Sequence, residues 1–217
     1  MMFQRSRYPY FEMKIEIKIK KSLAVIGFLT LIVACNETEN RNAKTHGISE
    51  IQNTTPAKDT IAYPIADSFD FPVGKPDAKG YYNAQPFTEN NHLGDDWNAV
   101  TGGNSDLGHP IYAIANGVVT AAADEGAGWG NVIRIEHHVP NEDNVESLYA
   151  HCLENRVKKG DIVKKGQQIA TIGNADGAYL AHLHFEIRKS VGMPLGPGYS
   201  TDTTDYLNPT EYIKAHR

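Results

Sequence analysis

Apolar residues in this chain come in short runs, each closed by glycine or a polar turn. Residues 111–115, 118–123, 132–137, 147–152, 169–172 and 182–188 are six such runs. No long helical periodicity competes with them. Many short strands with turn signals between them predict a compact all-β protein, an antiparallel sandwich or barrel with extended loops. Asn116-Gly117 reads as a tight hairpin turn. The Gly/Pro-rich stretch 71–87 reads as a long loop with short extended pieces. The acidic segment 141–146 reads as an exposed hairpin loop.

Three of these regions carry histidine. If residues 182–188 form a strand, His182, His184, Glu186 and Arg188 share one face and Leu183, Phe185 and Ile187 the other. The apolar set makes a core face, and the two histidines point together into whatever the other face lines. His92 and Asp96 flank Gly94 in a loop leading into a strand, where glycine lets the backbone turn so that both converge. Tyr149 and His151 share a face of SLYAHC, and Cys152 points to the other as a small core residue. Imidazole and carboxylate are the usual ligands of a catalytic zinc, and three of them leave room for a water. Each signal alone has a plainer explanation. HxH also occurs on polar outer strands, NHLGDDW suits a solvated turn with Asp95 facing water, and a lone His151 suits a structural role. His137 and His138 read as surface residues or as support around a site. His109 reads as a turn residue, and His46 and His216 as tether and tail.

The first 34 residues have another character. Lys18, Lys20 and Lys21 precede an uncharged, mostly apolar run, 22–34, too short for the roughly 20 apolar residues of a membrane span. A basic segment, a short apolar segment and a small residue describe an export signal. Met13 opens a more usual signal than Met1. Ile32-Val33-Ala34-Cys35 resembles the lipobox of bacterial lipoproteins, which implies acylation of Cys35 and removal of residues 1–34. The plainer alternative is an ordinary signal with an incidental cysteine. Residues 35–66 are polar and read as a tether, and the domain is expected over 67–217. Of 21 basic and 26 acidic side chains, the first 34 residues hold six and two, which leaves a formal charge of −9 beyond them. That balance excludes nucleic-acid binding, which needs a basic footprint, and makes lipid rather than charge the membrane attachment. Two cysteines, one of them lipidated, leave no disulfide framework.

The ordered set HxxxD, YxH and HxHF resembles the lysostaphin-type zinc endopeptidases, which cut peptide bonds in bacterial cell walls. The resemblance runs over about residues 71–213 and includes PIYAIANGVVTAAA, GWGNVIRIEH, VKKGDIVKKGQQIATIG and the terminal NPTEYI. It implies a duplicated hybrid-motif (barrel-sandwich) fold, zinc held by His92, Asp96 and His184, and His151 with His182 as an unliganded catalytic pair. Trp129, Asn131 and Tyr179 are the candidate groove residues, in loops beside the catalytic strands. The chain departs from the pattern in lacking an arginine-bearing segment before His92, in a lengthened VPNEDNVES loop, and in Cys152 where leucine is common. None of these touches an implied ligand.

The implied partner is the stem peptide of peptidoglycan, with direct D-alanyl–diaminopimelate cross-links expected in a diderm wall. Asn36, not aspartate, follows the lipobox, which favours the outer membrane facing the periplasm. Two rivals stand beside this reading. VKKGDIVKKGQQIATIG also resembles the hammerhead segment of biotinyl and lipoyl carriers and of sugar-transport phosphocarriers; a phosphocarrier would be cytosolic and would not need His92 and Asp96. A catalytically silent relative that binds the wall or activates an amidase would have lost ligands that this chain keeps.

Overall fold

The computed structural model describes residues 63–126 and 128–217. Among these residues ten strands run in chain order: β1 Tyr81–Gln85, β2 Asp95–Ala99, β3 Pro110–Tyr112, β4 Gly117–Asp124, β5 Asn131–His137, β6 Val145–Asn155, β7 Ile162–Val163, β8 Gln168–Ile172, β9 Leu183–Arg188 and β10 Tyr206–Leu207. Among the described residues one short α-helix, α1 (Pro209–Ala215), follows β10. Each of the six predicted runs contains a strand, although in 111–115 only Ile111 and Tyr112 are extended, and every pairing between these strands is antiparallel. The antiparallel β architecture expected from the sequence is therefore the architecture of the domain.

The sheet runs β1-β2-β9-β6-β5-β4-β7, with β10 beside β9 and β3 beside β8. β6 is the hub. Its first part pairs with β9, its last part pairs with β8, and its other edge follows β5. The change of partner falls at His151, whose φ is +59°. A left-handed non-glycine residue inside a strand is a bulge that resets the alternation of side chains. Tyr149 and Cys152 consequently both enter the main core, while His151 turns out of it. The expectation that Tyr149 and His151 share a face does not hold, because the bulge lies between Tyr149 and Cys152. Cys152 is buried in the core as expected, and burial pushes its thiol up to about 12.

Leu183, Phe185 and Ile187 lie in that core, with Ile111, Ile133, Ile135 and Ile169. Val132, Leu148 and Ala150 form a smaller cluster, against which Trp129 and Leu195 pack. β9 is buried along its whole length.

Four local readings are corrected. Asn116-Gly117 closes no β3–β4 hairpin, since β3 pairs with β8. The Asn116 amide instead donates to the Ile65 carbonyl and accepts from the Lys165 N–H. Gly117 is required by space, as a Cβ there would lie 2.5 Å from the Glu136 carbonyl oxygen. His137 is fully buried rather than superficial; alternation from Ile133 and Ile135 carries it to the core face. Its Nδ1–H donates to the Asn116 carbonyl, and Nε2 lies 2.8 Å from Ser147 Oγ. Glu146 belongs to β6 and is buried against Arg134 at 2.6 Å. Asp95 does not face water: one carboxylate oxygen accepts from the Phe87 N–H and the other from Thr210 at the start of α1. That helix had a legible start, with Asn208 capping the Glu211 N–H and Pro209 in the first turn.

Candidate active site

β2 and β9 are neighbours, and their register sets Asp96 opposite His184. His92 reaches the same point from the turn before β2, where its backbone bridges Tyr199. Asp96 Oδ1 lies 3.0 Å from His184 Nδ1 and 3.3 Å from His92 Nε2, and the two nitrogens are 2.9 Å apart. Gly94 permits this closeness through space rather than dihedral freedom. A Cβ on Gly94 would lie 2.5 Å from the Phe185 carbonyl oxygen and 3.1 Å from His184 Cε1.

The tautomers follow from the far sides of the rings. His92 Nδ1 meets the Gln85 carbonyl at 3.1 Å, and His184 Nε2 meets the Glu186 carboxylate at 3.0 Å. Both partners only accept, so each imidazole spends its proton there. In the neutral rings the facing nitrogens are then lone pairs beside a carboxylate. Such a set repels itself unless a cation sits among it, and N, N, O donors suit zinc. Ligands around a tetrahedral zinc at 2.0–2.1 Å stand roughly 3.3 Å apart; the observed spacings fall within a few tenths of an ångström of that. These three residues fit a metal.

The charges agree. Burial alone would raise Asp96, but hydrogen bonds from His184 and His92 win and hold it well below the usual carboxylate range. Burial alone would lower His184, but its bonds to Asp96 and Glu186 win and raise it to about 9. With no metal ion, a second proton on His184, shared with Asp96, is thus the positive charge at this point, and a metal ion would displace it.

His151 and His182 stand beside this triad with ring centroids 4.7 Å apart. Each is anchored the same way, His151 Nδ1 on the Trp129 carbonyl at 3.2 Å and His182 Nδ1 on the Leu180 carbonyl at 2.8 Å. Nε2 of each is thus left bare. His182 Nε2 lies 3.8 Å from Asp96. Burial and the neighbouring His182 and His184 pull the His151 pKa down to about 3, so it is neutral at neutral pH.

All four of Asp96, His151, His182 and His184 line one cavity of about 320 Å³. Trp129 and Tyr179 line it too. Its remaining walls are Gln85, Gly128 and the segment Pro197, Gly198 and Tyr199. Asn131 stands apart: its amide donates to the Cys152 and Leu153 carbonyls, and it lines a separate cavity of about 60 Å³. Cys35 lies outside the described residues. Sequence reasoning missed Gln85 and Tyr199, which carry no local motif. It also gave no role to Glu186, although period two already placed it on the histidine face.

The family model described as peptidase family M23 matches residues 91–197, a span that holds all five site residues. Lipoprotein NlpD of Yersinia enterocolitica is 43% identical over 81 residues, covering 37% of this chain and 78% of that protein. Murein hydrolase activator NlpD of Escherichia coli (strain K12) is 40% identical over 96 residues, 42% of this chain but 24% of that protein. Among solved structures, the SpoIIQ–SpoIIIAH pore-forming complex matches with a TM-score of 0.50 at 21% identity, over 68% of this chain and 92% of that one, a likeness of fold alone. With that family model matched across the histidine strands and a 43% identical relative covered over 78% of its length, the chain belongs to peptidase family M23.

Proposed function

We propose that this protein is a zinc metalloendopeptidase that hydrolyses peptide cross-links of peptidoglycan, held in the cell envelope by lipid on Cys35. The observation that carries the reading is the convergence of His92 Nε2, His184 Nδ1 and Asp96 Oδ1 within 3.3 Å of one another, with two further anchored histidines beside them. His92, Asp96 and His184 would hold the ion. Zinc supplies Lewis-acid chemistry there, acidifying a water and polarising an amide carbonyl. His151 and His182, bare at Nε2, accept first: either takes a proton from the attacking water and, once cationic, donates to the developing oxyanion or the leaving amine. The carbonyls of Trp129 and Leu180 hold the rings for that exchange.

The substrate we favour is the D-alanyl–diaminopimelate cross-link. The test is to incubate the zinc-loaded protein with purified cross-linked muropeptide dimers and weigh the products. Monomers support the reading; intact dimers beside rapid cleavage of pentaglycine would overturn the substrate and leave the peptidase. For the anchor, Cys35→Ser should abolish fatty-acid incorporation and empty the membrane fraction.

A second reading has one observation in its favour, the name murein hydrolase activator carried by the Escherichia coli relative. A silent activator has no use for a complete ligand set. Stimulation of a separate amidase by a chain that neither binds zinc nor cuts dimers would favour it.

A further inference from the structure

Three of the four site histidines are anchored by backbone carbonyls, of Gln85, Trp129 and Leu180. His184 alone is anchored by a side chain. Glu186 is fully buried, and its two oxygens divide the work. Oε1 meets His184 Nε2 at 3.0 Å, and Oε2 accepts from Arg188 Nε at 2.7 Å. Arg188, also fully buried, donates onward from Nη1 to the Pro194 carbonyl at 3.1 Å and from Nη2 to the Leu195 carbonyl at 2.5 Å. The same segment continues to Gly198, whose carbonyl accepts from the Leu93 N–H at 3.0 Å, and to Tyr199, which bridges the backbone of His92. The path leaves one candidate metal ligand and returns to another, passing through a wall of the cavity.

Stability does not account for this pair. Burying an ion pair costs several kcal/mol per ion, and apolar residues of similar volume are often as stable. Nearby Val132, Leu148 and Ala150 form a buried apolar cluster with Leu195 packed against it. What an ion pair adds is direction: a carboxylate can only accept, so it dictates which nitrogen of His184 stays bare.

We propose that Glu186 and Arg188 are positioning residues of the metal centre, holding His184 with Nδ1 free for the ion and tying that ligand to the 194–199 segment, whose Pro197, Gly198 and Tyr199 wall the cavity. The inference rests on the reading of His92, Asp96 and His184 as zinc ligands. In the full chain, Glu186→Gln places an amide where either its donor faces Arg188 or its donor faces His184, so one contact is lost. Zinc affinity, read by competition with a chromogenic chelator, should fall about 10–100-fold, with far-ultraviolet circular dichroism unchanged. In the zinc-loaded wild type, ¹⁵N NMR should find the His184 proton on Nε2 and the metal on Nδ1. Equal zinc affinity of folded Glu186→Gln and wild type would overturn the inference, as would a His184 proton on Nδ1. If Glu186→Gln does not fold, the wild-type spectrum decides by itself. A wild-type chain that binds no zinc would instead remove the proposed function on which the inference stands.

Discussion

His92 Nε2 and His184 Nδ1 stand 2.9 Å apart, each with its ring proton engaged on the opposite side. In the neutral rings two lone pairs meet at that distance beside a carboxylate oxygen, so a cation, proton or metal, belongs among them. Full-length His184→Ala should therefore lose zinc by more than about 100-fold, beyond the range of losses from supporting residues, while still folding. Metal analysis after dialysis checks this, and stoichiometric zinc in the variant would sink the ligand assignment.

His151 and His182 should behave differently. Their anchors are backbone carbonyls, and their removal leaves the three candidate ligands in place. His151→Ala and His182→Ala should each retain zinc and lose about 10²–10⁴-fold in dimer cleavage, the usual range for a general acid–base group. If His182→Ala lost the metal and His184→Ala kept it, the two roles would be exchanged.

Gly94 tests the packing that brings the ligands together. A methyl group there meets the Phe185 carbonyl oxygen and the His184 ring. Gly94→Ala should cost about 1–3 kcal/mol of stability, as overpacking does, and weaken zinc binding along with it. Urea unfolding and chelator competition on one preparation measure both. Wild-type stability with wild-type zinc affinity would mean that β2 and β9 can part there freely.

His137 sets a pH dependence remote from the site. Burial lowers its pKa to about 4 from 6.5, against the opposing bond to the Asn116 carbonyl. The unfolded chain takes up this proton as pH falls through 6.5, and the folded chain does not until about 4. Stability is thus lost on acidification across that window, by about 3 kcal/mol in all, at 1.36 kcal/mol per unit. Unfolding free energies at pH 7.5 and 4.5 should fall further for wild type than for His137→Gln. Parallel losses in the two proteins would refute the assignment.

The sequence by itself determined the antiparallel β architecture and the histidines of the candidate site. Short runs with period two leave no other way to bury Leu183, Phe185 and Ile187, and that same period sends His182 and His184 together to the opposite face. It also contained Glu186 at the right spacing, though nothing local distinguishes a metal-supporting carboxylate from a solvated one. Tertiary structure decided the rest. His151 leaves the core through a bulge, which arises where β6 exchanges β9 for β8, a long-range event invisible in LYAHC. Asp96 meets His184 only because β2 pairs with β9 across 88 residues of chain. Gln85 and Tyr199, 114 residues apart in sequence, meet side by side in the cavity wall. Asp95 and His137 are buried because distant carbonyls, hydroxyls and amide groups satisfy them, and burial of a polar group depends on partners that sequence spacing does not reveal.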